Sequence, residues 1–464
     1  MRDKVGQTSR SAAGLQAGLR RDQFAAIFDQ AVAAARALGV GDLEAILAGE
    51  NAALTRFANN AIHQNVAERT LHLSVRPVIG GRTARASTNR LDGEGIRRAV
   101  EEAIAITRLT EADPELPPLA EPAAIDAVER YCESTAKATP QLRAEAVAEA
   151  IAAVESAGQI AAGIYSTGDA MFGLRNTRGV NAWHQETLAR FSITAMAADS
   201  SGWAKASTWD CRELDPAALA RSAASKASAS ANPRAVPAGR YTVVLEPAAV
   251  LDLAGQMPGD FSATAIRDGR SFLNDRVGTK LFGSNVTIHD DVRHPGQSGA
   301  PFDGEGVPRR GLTLVDGGVV RDIAWCRQAA ALARVVPTGH GFPVPNEIGE
   351  APVNIVIAGG ETPVEEMIRS TERGILVTRL WYIREVDPYE KIFTGMTRDG
   401  TFLIERGEVA GGVRNFRFNV GLMEMLSKVE ALSPSARVSG EEAMDMVVPA
   451  MKVNDFNFTE VTRF

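Results

Sequence analysis

Between positions 110 and 122 the chain carries Pro114, Pro117, Pro118 and Pro122 among acidic residues. Each proline fixes φ and removes a backbone donor, so this stretch sustains neither helix nor sheet and reads as a linker. It separates two segments with similar patterning. In the first, 21–110, Phe24, Ile27, Phe28, Ala31, Ala35 and Leu38 recur at helical spacing, with Asp22 placed to cap that helix and Gly39 to end it. The pattern then alternates from Leu43 to Ala86, with Gly80-Gly81 placed to turn a hairpin, and a second helix is predicted over 93–108 with Ile96, Val100, Ala103, Ile104 and Thr107 as its buried stripe. The second segment, 123–222, repeats the order: an Ala-rich helix over 141–157, then strands over 159–166, 171–174, 187–197 and 202–208.

A second break follows at 221–239, rich in Ala and Ser and carrying Pro233 and Pro237, and the main domain boundary is expected there. Beyond it, 240–464 reads as a β-rich domain, with strands over 241–245, 286–289, 313–315, 319–325, 353–357, 375–383, 402–405 and 413–418. The expected class is α+β: an N-terminal helix plus antiparallel sheet region, then a β-rich C-terminal domain. Residues 1–20 offer few large apolar side chains and read as a mobile leader.

Composition narrows the function. The 464 residues hold 50 Lys plus Arg against 57 Asp plus Glu, a formal charge of −7, the wrong sign for a nucleic-acid binder. No apolar run approaches the roughly 20 residues that span a bilayer. Arg20-Arg21 resembles a twin-arginine signal, but the sequence after it is amphipathic. Cys132, Cys211 and Cys326 form no CxxC clamp, and a reduced, cytoplasmic setting is expected, with neither membrane nor nucleic acid as partner.

Common catalytic motifs are missing. There is no GxxxxGK[ST], no GxGxxG between strand and helix, and Gly296-Gln297-Ser298-Gly299-Ala300 breaks the spacing of a serine elbow. Among six histidines, His289 and His294 stand five apart with Asp290 after the first, which invites a zinc reading. Five helical residues carry a side chain about 140° off its starting face, and Pro295-Gly296 follows, so strand end and solvated turn fit better. His340 sits in a turn and is a pocket candidate, His63 and His72 read as surface or interface residues, and Cys326 as a small buried side chain on a strand.

Several motifs in order resemble those of the TldD/PmbA family of metallopeptidases, also called modulators of DNA gyrase. They begin with Arg56-Phe57-Ala58-Asn59-Asn60-Ala61-Ile62-His63-Gln64, Gly80-Gly81-Arg82 and Ala86-Ser87-Thr88-Asn89. In the second half, Gly269-Arg270-Ser271-Phe272, Pro301-Phe302-Asp303-Gly304-Glu305-Gly306, Thr338-Gly339-His340 and Phe402-Leu403-Ile404-Glu405-Arg406-Gly407-Glu408 are similar to the family's C-terminal domain. The resemblance implies two kinds of subunit. In the TldD-like kind, histidines of a helical HExxxH join a C-terminal cysteine to hold catalytic zinc. Here the residues after Tyr241-Thr242-Val243-Val244-Leu245 run Glu246-Pro247-Ala248-Ala249-Val250-Leu251-Asp252-Leu253-Ala254-Gly255-Gln256-Met257, without histidine, and no cysteine follows Cys326.

The resemblance therefore implies the other kind, a TldE/PmbA-like subunit with no catalytic or metal-ligating residue of its own. Its expected partners are a TldD-like catalytic subunit, which holds the zinc, and a peptide or unfolded protein substrate. Arg85, Thr88, Asn89, Asp303, Glu305, His340, Thr394 and Thr397 are the expected pocket or interface residues. Turn or cap chemistry is the plainer role for Asp303-Gly304-Glu305-Gly306. Two alternatives stay open: a self-sufficient metal-dependent hydrolase built on His289 and His294, and a peptide-binding protein without catalysis.

Overall fold

A computed structural model describes residues 20–462. The expected leader, apart from Arg20, lies outside them. The fold is mixed α+β, with a helix preceding an antiparallel sheet as expected. The two segments flanking the proline-rich linker supply strands to one seven-stranded sheet. Its spine is the long strand Asp42–Ala58, paired antiparallel with Ala61–Ile79 on one side and with Ile160–Asn176 on the other. Asn181–Met196 and Ser201–Thr208 extend the sheet beyond Ile160–Asn176. Asn59 and Asn60 both take left-handed backbone, with φ of 51° and 59°, which a two-residue hairpin requires and asparagine tolerates. The alternation read from Leu43 onward is thus two long strands of one hairpin, and Gly80-Gly81 makes a further turn into Arg82–Thr83.

Period-two alternation sorts the sheet's faces. Leu43, Ala45, Leu47, Leu73 and Val75 pack under the helices Arg21–Ala37 and Gly93–Leu109. Phe57, Ala161, Tyr165, Phe191 and Ile193 pack under Pro140–Glu155 and Pro216–Ala229. Two local expectations shift. Asp22 lies inside the first turn of its helix, where its charge suits the helix dipole, and the Arg20 amide donates to Gln23 Oε1 at 2.8 Å. The Ala- and Ser-rich run is helical through Ala229, because Ala220, Ala223, Ala224 and Ala227 are small enough to lie flat on the sheet.

Five strands of the C-terminal domain, Gly239–Leu245, Arg373–Asp387, Ile392–Glu405, Phe416–Gly421 and Met451–Val461, pair in a closed ring. Closure removes the open edges that such strands would otherwise expose. Alternation again sets the faces: Val243, Leu245, Ile375 and Val377 enter the main core, while Val244, Leu376, Phe402 and Ile404 pack outward against Met367. A second, six-stranded mixed sheet is built from short strands, Ile288–Asp290, Leu312–Asp316, Val319–Val320, Ile355–Ile357, Ala436–Val438 and Met446–Val448. Ile288, Leu314 and Ile355 of that sheet share the barrel's hydrophobic core. The strand expected over 319–325 ends at Val320, and Cys326 is the N-cap of the helix Arg327–Ala333.

The helix-free face of the N-terminal sheet meets this domain, with Ile46, Leu174 and Ala182 packed against Phe302. No helix among the described residues is long and apolar enough to cross a membrane.

Candidate functional site

Where the two layers separate, they leave a cleft. In the strand Asn181–Met196, every second side chain from His184 through Glu186 and Leu188 to Arg190 faces it, as the period of a strand dictates. Two cavities share Glu186. One, of about 300 Å³, is lined by Phe172, His184, Phe302, Asp303, Arg309 and Phe342 among others. The other, of about 660 Å³, runs along Leu188, Arg190 and Lys205 under the loop containing Gly440 and Glu441.

Ion pairs strap that loop across the sheet. Arg190 lies 3.0 Å from Asp445, which also accepts from Ser207 Oγ at 2.7 Å and Ser439 Oγ at 2.6 Å, and Lys205 lies 3.0 Å from Glu441. Glu186 accepts the Gly299 amide at 2.6 Å, with His184 Nε2 3.6 Å away. Burial pushes the Glu186 carboxyl up, but His184, the Gly299 amide and Arg130 outweigh it and hold the pKa below its usual value. His184 is 6% exposed and its Nε2 has no hydrogen-bond partner.

Four of the residues singled out in the sequence meet at one end of this cleft or just behind it. Asp303, Glu305 and His340 are buried. Asp303 Oδ1 accepts the amides of Glu305 and Val307 and its Oδ2 that of Gly341, so turn chemistry and burial coincide. Glu305 Oε2 accepts the Arg327 amide at 2.8 Å. A Cβ on Gly341 would stand 2.3 Å from that carboxylate, so a larger residue there would have to displace it. Burial first, then the neighbouring Asp303, pushes Glu305 up to about 8, and burial likewise raises Asp303. His340 Nε2 lies 2.9 Å from Asp290 Oδ1 and its Nδ1 2.9 Å from Thr338 Oγ1. Arg85 ties the layers together, with Nη2 2.5 Å from Glu44 Oε1 and Nε donating to the Val344 carbonyl.

The other four lie elsewhere. Thr88 Oγ1 accepts the Arg90 amide in a turn, and Asn89 is exposed there. Thr394 and Thr397 belong to the barrel strand Ile392–Glu405: Thr394 donates to the Phe418 carbonyl and Thr397 Oγ1 accepts the Phe416 amide. The His289 and His294 motif resolves differently from its zinc reading. Strand alternation buries Ile288 and Asp290 and turns His289 to the other face, so Asp290 is the residue that reaches the cluster. His294 Nδ1 accepts the Gly296 amide at 3.0 Å.

The helix Pro247–Ala254 follows the strand Gly239–Leu245, where the resemblance places HExxxH. Its Val250, Leu251 and Leu253 are buried in the core, and its one polar side chain, Asp252, accepts the Leu380 amide at 3.1 Å. Burial pushes Asp252 up to about 7. These residues do not fit zinc, and no three His, Cys, Asp or Glu side chains among the described residues are grouped to hold a metal. Cys326 Sγ accepts the Ala329 amide, and burial with the nearby Glu350 pushes its thiol up to about 12, far from thiolate chemistry.

Sequence reasoning passed over His184, Glu186 and Arg309. The predicted strand began at 187, whereas pairing with Ile160–Asn176 starts it at Asn181. The His-x-Glu-x-Leu-x-Arg alternation was the available signal. Arg309 follows Pro308 in a loop and carries no periodic signal at all.

Comparison with known proteins agrees with this architecture. Models of the PmbA/TldA metallopeptidase family match along the chain: domain 1 over residues 45–107, the central domain over 114–231 and the C-terminal domain over 238–460. A metalloprotease of Methanothermobacter thermautotrophicus is 26% identical over 212 residues, 44% of each chain, so the match takes in less than half of that relative's length. TldE from Thermococcus kodakarensis has the same fold, with a TM-score of 0.85 at 20% identity over 94% of this chain and 100% of that one. A Thermotoga maritima protein superposes equally well, with a TM-score of 0.85 at 22% identity over 94% and 100% of the two chains. Three family domains matched in order, on a fold shared over nearly the whole length, place this chain in the PmbA/TldD metallopeptidase family.

Proposed function

We propose that this chain is the non-catalytic, TldE/PmbA-like subunit of a cytoplasmic heterodimeric peptidase that cleaves or matures peptides, with zinc held by a TldD-like partner. The observation that carries this reading is the helix Pro247–Ala254, which turns Val250, Leu251 and Leu253 into the core at the position where a metal-binding helix is implied. A single buried carboxyl, already engaged by a backbone amide, gives no set of ligands. The chain's part is then to shape the cleft along Asn181–Met196 and hold an extended peptide for the partner to cut.

The test is to purify the chain alone and with a TldD-like partner, and to measure zinc and peptide cleavage in both. The expected result is negligible zinc and no cleavage for the chain alone, with both present in the co-purified pair. About one zinc per isolated chain, or cleavage by it alone, would overturn the reading. A stable pair that cleaves nothing would leave a peptide-binding protein instead.

A further inference from the structure

Hydrogen bonding in the smaller cavity is lopsided. Asp303 takes three backbone amides, and Glu186 Oε2 takes the Gly299 amide. Arg309 Nε donates to the Ala300 carbonyl at 3.2 Å, but Arg309 Nη1 is buried without a hydrogen-bond partner, and His184 Nε2 has only the Glu186 carboxylate, 3.6 Å away. A buried unpaired N–H is costly, so an occupant of this cavity gains most by bringing an acceptor oxygen. The remaining lining is apolar. Phe172 and Phe302 stack with centroids 5.5 Å apart and planes 20° apart, and Phe342 joins them. Pro343 is exposed at the rim.

Charge narrows the oxygen further. Asp290 and Asp303 already act on the Arg309 guanidinium, and the ionised Glu186 borders the same cavity. A further full negative charge is therefore disfavoured against a neutral carbonyl.

We propose that this cavity is an anchoring subsite for an apolar or aromatic residue within a bound peptide, whose side chain lies against Phe172 and Phe302 while its main-chain carbonyl accepts from the Arg309 guanidinium. The assignment rests on the peptide-handling role proposed above. At about 300 Å³ the cavity is at the small end of ligand pockets, with room for one large side chain and its peptide unit.

The experiment uses the intact chain and fluorescein-labelled, N-acetylated hexapeptide amides that differ only in one central residue, Phe or Ser, with binding read by anisotropy. Wild type is expected to bind the Phe peptide at least about ten-fold more tightly, and Arg309→Met to weaken it by about ten-fold or more. Because Arg309 also neighbours two buried carboxylates, Ala300→Leu serves as a second variant: it fills the cavity from its wall and is expected to abolish the Phe preference. Equal binding of the two peptides by wild type, or unchanged binding in both folded variants, overturns the proposal. So does a peptide ending in Phe with a free carboxylate that binds more than about ten-fold tighter than the internal Phe. Failure here with a working zinc-dependent pair removes the subsite and leaves the subunit role. Phe-selective binding without any partner complex does the reverse.

Discussion

Glu44 and Glu305 are both almost fully buried carboxylates, one in the N-terminal sheet and one in the loops of the C-terminal domain, and their surroundings give them opposite chemistry. Glu44 stands directly across the ladder from Arg76, which donates to it at 3.0 and 2.9 Å, and Arg85 adds a third contact at 2.5 Å. Burial pushes its carboxyl up, but the two guanidinia outweigh that and hold it below the usual range. Glu305 has backbone and another carboxylate for neighbours, and it is pushed up to about 8. A strand register delivers a countercharge to a fixed place. A loop that buries carboxylates against backbone amides leaves its countercharges, Arg327 and Arg76 for Glu305 and Arg309 for Asp303, too weak to offset burial, and there the proton does the neutralising.

The largest expected effect comes from breaking the paired member. Arg76→Met leaves Glu44 partly uncompensated and is expected to cost about 3–5 kcal/mol at pH 7, read by urea unfolding. Because the folded pKa of Glu44 lies below its ordinary 4.5, its contribution is present above that pH and fades as pH falls through the folded value. The gap between variant and wild type should therefore narrow in acid. A variant as stable as wild type at pH 7 would dissolve the comparison.

Glu305→Gln should act in the opposite sense. With a folded pKa raised from 4.5 to about 8, wild type is at full strength below 4.5 and loses stability as pH climbs toward 8. Glutamine keeps an acceptor for the Arg327 amide and has no such slope. Relative to wild type, the variant should gain on the order of 3–4 kcal/mol between pH 5 and pH 8. Parallel stability curves at the two pH values would show that Glu305 is ionised after all.

Asp252→Asn tests the same rule in the barrel core. Burial raises that carboxyl from 3.8 to about 7, so its loss of stability falls between those values, and the variant should gain on the order of 3 kcal/mol across that range in thermal melts. The smallest effect is expected for Arg85→Lys, which keeps a charge for Glu44 but gives up the forked reach to the Val344 carbonyl. About 1 kcal/mol is expected, and a protease-sensitivity difference confined to the loop around Val344 would sharpen the picture of Arg85 as the tie between layers.

The local elements were legible where one side-chain period runs uninterrupted. Ile96, Val100, Ala103 and Ile104 gave the helix Gly93–Leu109 almost to the residue, and Gly80-Gly81 gave its turn. The candidate site was legible only in part. Asp303, Glu305 and His340 stood out through motifs, whereas Asp290 was masked by the histidines around it, and His184 and Glu186 by a strand read six residues short.

By itself the sequence determined the α+β class, the faces of its helices and strands, the family signatures, and the lack of histidine from Glu246 to Met257. All of these are properties of neighbours along the chain. Tertiary structure decided that Asp42–Ala58 pairs with Ile160–Asn176 across the proline-rich linker, that five C-terminal strands close into a ring, and that Asp290, Asp303 and His340 gather behind a cleft lined by His184 and Arg309. A side-chain period says which face of a strand is buried, but not which distant strand will satisfy its backbone. That choice is made by the whole set of hydrogen bonds and apolar contacts at once, and here it also determined which buried donors were left without a partner.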